Sequence, residues 1–351
     1  MTRLVFAIPG NIDLPTGGYT YDRRVLGLLA QFGIEVVHLQ LPAGYPAPSA
    51  GEIEATSHAL ADVPPEDVLM IDGLAYGAMP TSVIRRASCP IIALVHHPLC
   101  LETGLPAARQ DELRRSETAA LSFAHQVIAT SATTAQILQD DFGVASDLIT
   151  VAEPGTDPAP RATGSSGGTV QLLAVGSIVP RKGYDVLLDA LAKLPADLDW
   201  QLAIAGAEDR SPETAADIKA RLAAAPCGRR VRLLGAVPEA ALADIYAGTD
   251  VFVLASHYEG YGMVLTEALA RGLPIVTTTG GAAAETVPDA SALKVPPGDV
   301  DTLAQALERI IMDAALRKQL SDAAWAFAQT SLPRWEDTTT TIASVIKELV
   351  R

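Results

Sequence analysis

Two carboxylates, Glu259 and Glu267, bracket the turn Gly260-Tyr261-Gly262, and their arrangement suits a ligand that carries both negative charge and hydroxyls. The apolar run Asp250–Ala255 before them reads as a buried strand, and Val264–Arg271 after them as a helix ended by Gly272 and Pro274. A flexible turn at a helix start exposes unpaired backbone N–H groups and the positive end of the helix dipole, which together attract an anion. A carboxylate beside an anion site has a use only if the same ligand offers hydroxyl donors. A pyrophosphate joined to sugars at both ends, a nucleotide sugar, has that chemistry.

Further residues fit the same ligand. Arg181 and Lys182 follow the strand that ends Ala174-Val175-Gly176. Breaking a sugar–phosphate bond leaves charge on the departing diphosphate, and an adjacent guanidinium and ammonium can neutralise it. Gly17 and Gly18, in Thr16-Gly17-Gly18-Tyr19, allow backbone to approach a ligand after the first strand. His96 and His97 end the apolar run Ile91–Val95, a position suited to touching substrate. Neighbouring residues on a strand face opposite ways, so only one of the two is expected to do so.

The elements that position these residues alternate between strand and helix, which predicts parallel sheets covered by helices. The expected strands of a first half are Leu4–Ile8, Glu35–Leu39, Val68–Ile71, Ile91–Val95 and Gln126–Ala129. Pro154–Gly168, rich in Pro, Gly and Ser, reads as a linker. Gln171–Val175, Gln201–Ala205, Val231–Leu234, Val251–Leu254 and Pro274–Thr278 then form a second set. The opening strand, glycine turn and helix near Tyr19–Phe32 are echoed by Leu172–Val175, Pro180–Gly183 and a helix near Tyr184–Leu194. Two facing Rossmann-like α/β domains are therefore expected, with ligand in the cleft between them.

Length and composition agree. A chain of 351 residues, 49% hydrophobic and 19% charged, suits two cored domains. A net charge of −15 argues against nucleic acid as a partner. Cys89, Cys100 and Cys227 have no metal or redox spacing and read as reduced thiols. Leu4–Ile8 is cut off by Pro9-Gly10, as a strand and not a signal peptide would be, and no run approaches the roughly 18 apolar residues of a membrane helix. A cytoplasmic protein is expected, with peripheral membrane contact left open.

The Glu-x7-Glu spacing at 259–267, followed by Ala-Leu-Ala-Arg-Gly-Leu-Pro-Ile-Val, resembles the signature of the retaining glycosyltransferases of family 4, GT4, which have the GT-B fold. The likeness covers nearly the whole chain and is strongest from 170 to 310. It implies a donor domain over 163–331 and an acceptor-side domain over 1–162, with the last helix, 332–351, crossing back onto the latter. Arg181-Lys182-Gly183 matches the family's donor-phosphate motif. The resemblance further implies that Glu259 binds hydroxyls of the donor sugar, that Glu267 binds the ribose, and that N–H groups near Met263 and Val264 meet the pyrophosphate. Gly176, Gly206, Val237, Gly260, Tyr261 and Gly262 complete the donor side, with Gly281 a further donor contact. His96, favoured over His97, would touch the transferred sugar. Transfer would retain anomeric configuration by front-face attack, with no metal and no cofactor.

One motif is a decoy, and one helix gives a mixed signal. Asp299-Val-Asp301 has the spacing of a metal motif, but after Pro296-Pro297-Gly298 it reads as a helix N-cap. The helix after the histidines carries Arg109, Arg114 and Arg115 against Asp111, Glu112 and Glu117, a poor basic surface for a membrane. The run His96–Gly104 nevertheless resembles bacterial lipid glycosyltransferases, including those acting on diacylglycerol, so the expected acceptor is a hydroxyl, a lipid being one choice. The expected donor is a UDP-sugar carrying a hexose or uronic acid, with GDP-mannose and a soluble or polysaccharide acceptor as the alternative. A nucleotide-sugar epimerase would not explain Glu259, Glu267 and Arg181-Lys182 together, and a non-catalytic nucleotide-sugar binder would not need leaving-group cations. A dinucleotide oxidoreductase would need Gly-x-Gly-x-x-Gly where Pro9-Gly10-Asn11 stands.

Overall fold

Consecutive apolar residues make the strands, because each sheet is covered on both faces. In the second half Leu172, Ala174, Leu202 and Ile204 enter one core, while Leu173, Val175, Ala203 and Ala205 enter another on the opposite face. This is the two-residue alternation of a strand acting inside a continuously apolar run.

The computed structural model describes residues 2–350. It holds two units, Met1–Gly155 with Pro333–Arg351, and Thr156–Leu332. In the first, β1 (Thr2–Pro9), β2 (Ile34–Leu41), β3 (Val68–Asp72), β4 (Ile91–Val95), β5 (Gln126–Ala129) and β6 (Ile149–Val151) form one sheet in the order β2-β1-β3-β4-β5-β6. In the second, β7 (Val170–Val175), β8 (Trp200–Ala205), β9 (Val231–Gly235), β10 (Val251–Leu254), β11 (Ile275–Thr278) and β12 (Ala292–Val295) take the order β12-β11-β10-β7-β8-β9. Neighbours pair parallel in both sheets. The strand order reverses between β1 and β3 in one sheet and between β7 and β10 in the other. Ligands of such sheets bind at these points, beyond the carboxyl ends of the strands.

The ten expected strands are present, and the structure adds β6 and β12. These are 3 and 4 residues long and lie at sheet edges, where partial exposure breaks the apolar signal. The first helix runs Gly17–Leu28, capped by the Thr16 hydroxyl, and tightens to a 3-10 turn over Leu29–Phe32 that Gly33 ends at φ 73°.

The division between units falls at 155/156 and 332/333, not at 162/163 and 331/332. The stretch read as linker is held by the second unit: Ala162 N–H donates to Arg271 O at 2.9 Å, Thr163 N–H to Ala247 O at 3.0 Å, and Arg161 pairs with Asp322. The Trp335–Leu349 helix belongs to the first unit. Its Thr338 hydroxyl donates to Glu153 O at 2.6 Å, and the Trp335 ring meets Tyr21 edge-on at 5.8 Å. Among the described residues, no helix is long and apolar enough to cross a membrane.

One buried carboxyl bears on stability. Glu117, on the helix Ala107–Leu121, is buried and accepts the Leu99 N–H at 2.9 Å. Burial pushes its carboxyl up to about 8, against that hydrogen bond and Arg114, which both lower it. The folded chain thus keeps a proton that the unfolded chain has lost, so stability should fall as pH rises from about 4.5 through 8. Thermal melts of Glu117→Gln, which can still accept from Leu99, should show a flatter profile over that range. An unchanged slope would mean that the carboxyl is already ionised.

Candidate functional site

At the reversal point of the second sheet, β7 and β10 end side by side and deliver opposite charges to one place. After β7 the chain makes a 3-10 turn, Pro180–Lys182, ended by Gly183 at φ 60°. A Cβ on Gly183 would stand 2.2 Å from Ala255 O, so only glycine lets this turn lie against the end of β10. Lys182 Nζ donates to Glu259 Oε1 at 2.6 Å, and Arg181 Nη1 to Glu259 Oε2 at 3.3 Å. Arg181 Nη1 also donates to Tyr258 O at 2.7 Å, and the Ser256 hydroxyl to Glu259 Oε1 at 2.5 Å.

Glu259 is 4% exposed. Burial by itself would raise its carboxyl; the charges of Lys182 and Arg181, with hydrogen bonds from Lys182 and Ser256, overcome this and hold it at about 2. Two cations therefore meet the Glu259 carboxylate beside the helix Met263–Ala270. Gly262 caps that helix at φ 91° and puts Met263 and Val264 in its first turn, whose N–H groups have no intrahelical acceptor. This arrangement can receive a diphosphate.

Other expected donor residues gather nearby. Gly281 bridges to Glu259, whose N–H donates to Gly280 O at 3.1 Å and whose carbonyl accepts from Ala282 at 2.8 Å. Gly176 and Gly206, at the ends of β7 and β8, approach so closely that a Cβ on Gly206 would lie 1.8 Å from Gly176 O. Glu267 projects from the Met263–Ala270 helix and accepts from the Tyr246 hydroxyl at 3.1 Å, while Arg271 lies 4.3 Å above the Tyr246 ring. Burial raises the Glu267 carboxyl, and Arg271 and Tyr246 offset part of that rise. Gly260 is partly exposed and Tyr261 buried, its carbonyl accepting from Thr286 at 2.7 Å. Val237 is partly buried and packs against the core that holds Tyr246, Leu254 and Leu265. Asp299 caps the Val300–Met312 helix, accepting from Thr302 N–H at 3.0 Å, as its sequence context predicts.

The first unit has its own cluster at the β1/β3 reversal point. His96, just past β4, directs Nε2 toward Asp22 at 3.4 Å and Asp72 at 3.3 Å. Gly18 lies over this ring: a Cβ there would be 3.3 Å from His96 Cδ2. Gly17 opens the helix beside it. His97 pairs instead with Glu102 at 3.4 Å.

Comparison with known proteins fits this geometry. The family model described as "Glycosyl transferases group 1" matches residues 156–326, and "Glycosyltransferase Family 4" matches 67–160. The chain belongs to glycosyltransferase family 4. Among members of the family, mannosylfructose-phosphate synthase of Agrobacterium fabrum is 34% identical over 44% of this chain and 38% of its own length. A GDP-mannose-dependent monoacylated alpha-(1-6)-phosphatidylinositol monomannoside mannosyltransferase of Corynebacterium glutamicum is 29% identical over 80% of this chain and 77% of its own. In five curated relatives, the matched stretch is 38% to 61% of the relative's length. Sucrose-phosphate synthase from Thermosynechococcus elongatus superposes with a TM-score of 0.82 at 22% identity, over 99% of both chains. That likeness establishes the GT-B fold of the family: two α/β domains, each on a six-stranded parallel sheet.

Reading the sequence as a family-4 member did not reveal four side chains that organise these sites. Ser256, Tyr246, Asp22 and Asp72 each touch a residue singled out above. Ser256 lies close to Glu259 in sequence at the end of an expected strand, so a hydroxyl there was a usable signal. The other three come from distant elements.

Proposed function

We propose that this protein transfers a hexose from a nucleotide diphosphate sugar to an acceptor hydroxyl, with retention at the anomeric carbon and without an essential metal. The observation that carries this reading is the Lys182–Glu259–Arg181 cluster at the β7/β10 reversal point, which gathers two cations beside a helix start. In the proposed step the bond from the anomeric carbon to the β-phosphate oxygen breaks. The bond to the acceptor oxygen forms on the same face, and the acceptor's proton passes to the departing phosphate. Arg181 and Lys182 balance the charge that leaves, Glu259 and Glu267 hold sugar and ribose hydroxyls, and the first unit receives the acceptor.

For the donor, a UDP-sugar is the first reading. GDP-mannose is the second, favoured by the name of the corynebacterial relative. For the acceptor, that relative's name supports a lipid, and a diacylglycerol is the first to be tried. A soluble sugar phosphate is the second reading, for which the surface speaks. Leu99 and Cys100 are buried, Arg109 pairs with Glu112 at 2.7 Å and Arg114 with Asp141 at 3.5 Å, so little apolar or basic surface is offered there to a bilayer.

The test is product formation from each donor with diacylglycerol vesicles or sugar phosphates, followed by mass spectrometry and by NMR of the new linkage. The expected product keeps the donor's anomeric configuration, and its yield is the same in EDTA. An inverted linkage would reject the front-face step, and complete loss in EDTA would reject charge balance by Arg181 and Lys182.

A further inference from the structure

Asp22 and Asp72 lie in the first unit, apart from the Glu259 cluster of the second, and bring two buried carboxylates to one histidine. Asp22 is 0% exposed and Asp72 3%. Asp72 Oδ1 is fixed by the Leu74 N–H at 2.7 Å, which leaves Oδ2 for His96. Both oxygens of Asp22 are sealed from solvent and accept no regular hydrogen bond, and His96 Nε2 is sealed with them. Among the described residues, no lysine or arginine forms an ion pair with either carboxylate; the imidazole is their one cationic partner. Two carboxylates held away from water beside one ring nitrogen are costly unless positive charge stands between them, and a proton on that nitrogen supplies it.

Among the described residues, Asp22 and Asp72 are the carboxylates that pair with His96. Tyr21 meets the ring edge-on at 5.3 Å, with its hydroxyl donating to Ala152 O at 3.0 Å, and the first turn of the Gly17–Leu28 helix covers the Cδ2 edge. The titratable groups that face His96 are thus Asp22 and Tyr21 from that helix and Asp72 from β3. Resting on the transfer activity proposed above, we infer that Asp22 and Asp72 are positioning residues that clamp His96 through Nε2 as an imidazolium, so that it meets substrate as a fixed cationic donor and not as a base. Burial alone would lower the His96 pKa, but the close contacts of the two carboxylates with Nε2 and their charges push it up to about 10. Burial and the neighbouring Asp72 raise the Asp22 carboxyl in turn. An imidazolium has no lone pair for the acceptor's proton, so that proton goes to the leaving phosphate, and His96 instead donates a hydrogen bond to a sugar or acceptor oxygen.

The test is nitrogen NMR of the whole chain labelled with 15N-histidine, the His96 signals being identified by their absence in His96→Gln. Both ring nitrogens should be protonated at pH 8. Asp22→Asn, or Asp72→Asn, which keeps an oxygen for Leu74, should let the ring titrate near the ordinary histidine value of about 6.5. In turnover, either variant should lose roughly tenfold or more in kcat against wild type at pH 8. The gap should narrow toward pH 5.5, as the ring regains its second proton, with the donor KM unchanged. A neutral His96 at pH 8 would overturn the inference, as would a loss of turnover that does not vary with pH. Uptake of Zn2+ by wild type and not by Asp22→Asn would also overturn it, because a metal would replace the Nε2 proton. The NMR result needs no turnover, so absence of transfer would count against the proposed function and leave the clamp to be judged by itself.

Discussion

Lys182→Ala should slow transfer by about 10²–10³-fold in kcat, the usual cost of removing one preorganised group that stabilises developing charge. The geometry makes this lysine the larger contributor of the pair. Arg181 Nη1 is shared between Tyr258 O and Glu259, whereas Lys182 is a single point charge whose stem passes 3.1 Å from the Cβ position of Gly176. Without Lys182, Glu259 still has Arg181 and Ser256, so the fold should survive while one of the two cations is lost. The effect should appear in kcat at saturating donor. A change confined to the acceptor KM would mean that Lys182 does not serve the leaving group.

Glu259→Gln should be damaging in two ways. Its carboxylate is the counter-ion that lets Lys182 and Arg181 remain in a nearly closed site, and removing one partner of a buried ion pair costs about 3–5 kcal/mol. A large fall in Tm is therefore expected, as well as turnover reduced by at least the factor given for Lys182→Ala. The pairing also has a sign in pH. A folded-state carboxyl near 2, against 4.5 when unfolded, contributes stability above pH 4.5 that is lost as pH falls toward 2. The acid limb of the melting profile should thus flatten in Glu259→Gln. Unchanged Tm and turnover would remove Glu259 from the site. A double variant with Lys182→Ala should lose less Tm than the two single losses added, because the two side chains share one ion pair.

The sequence made some of these features legible and hid others for physical reasons. Glu259, Glu267, Gly260 and Gly262 lie within one strand–turn–helix passage, so spacing alone outlines the candidate anion site. Arg181 and Lys182 come from a distant strand, and only the family motif linked them to Glu259; their direct contact with its carboxylate is a product of β7 and β10 pairing. Spacing left the face of Glu267 open, and the Tyr246 hydroxyl decides it. The choice between His96 and His97 was partly readable from strand alternation. The carboxylates on His96 were not, because Asp22 sits on a helix and Asp72 at the end of β3, and only the order β1-β3-β4 brings them to one ring. Glu117 looked like one member of a solvated charged face and is in fact buried beneath the Leu99 turn.

The most direct test of the donor assignment is a thermal-shift titration of wild type, Lys182→Ala and Glu259→Gln with UDP-, GDP- and ADP-sugars, with and without EDTA. At a hundredfold excess over Kd, a bound donor stabilises the fold by about 2.7 kcal/mol. One nucleotide should raise the wild-type Tm, equally in EDTA, and the rise should be sharply reduced in both variants. No response from wild type to any of them, or the same response in all three proteins, would contradict the donor assignment.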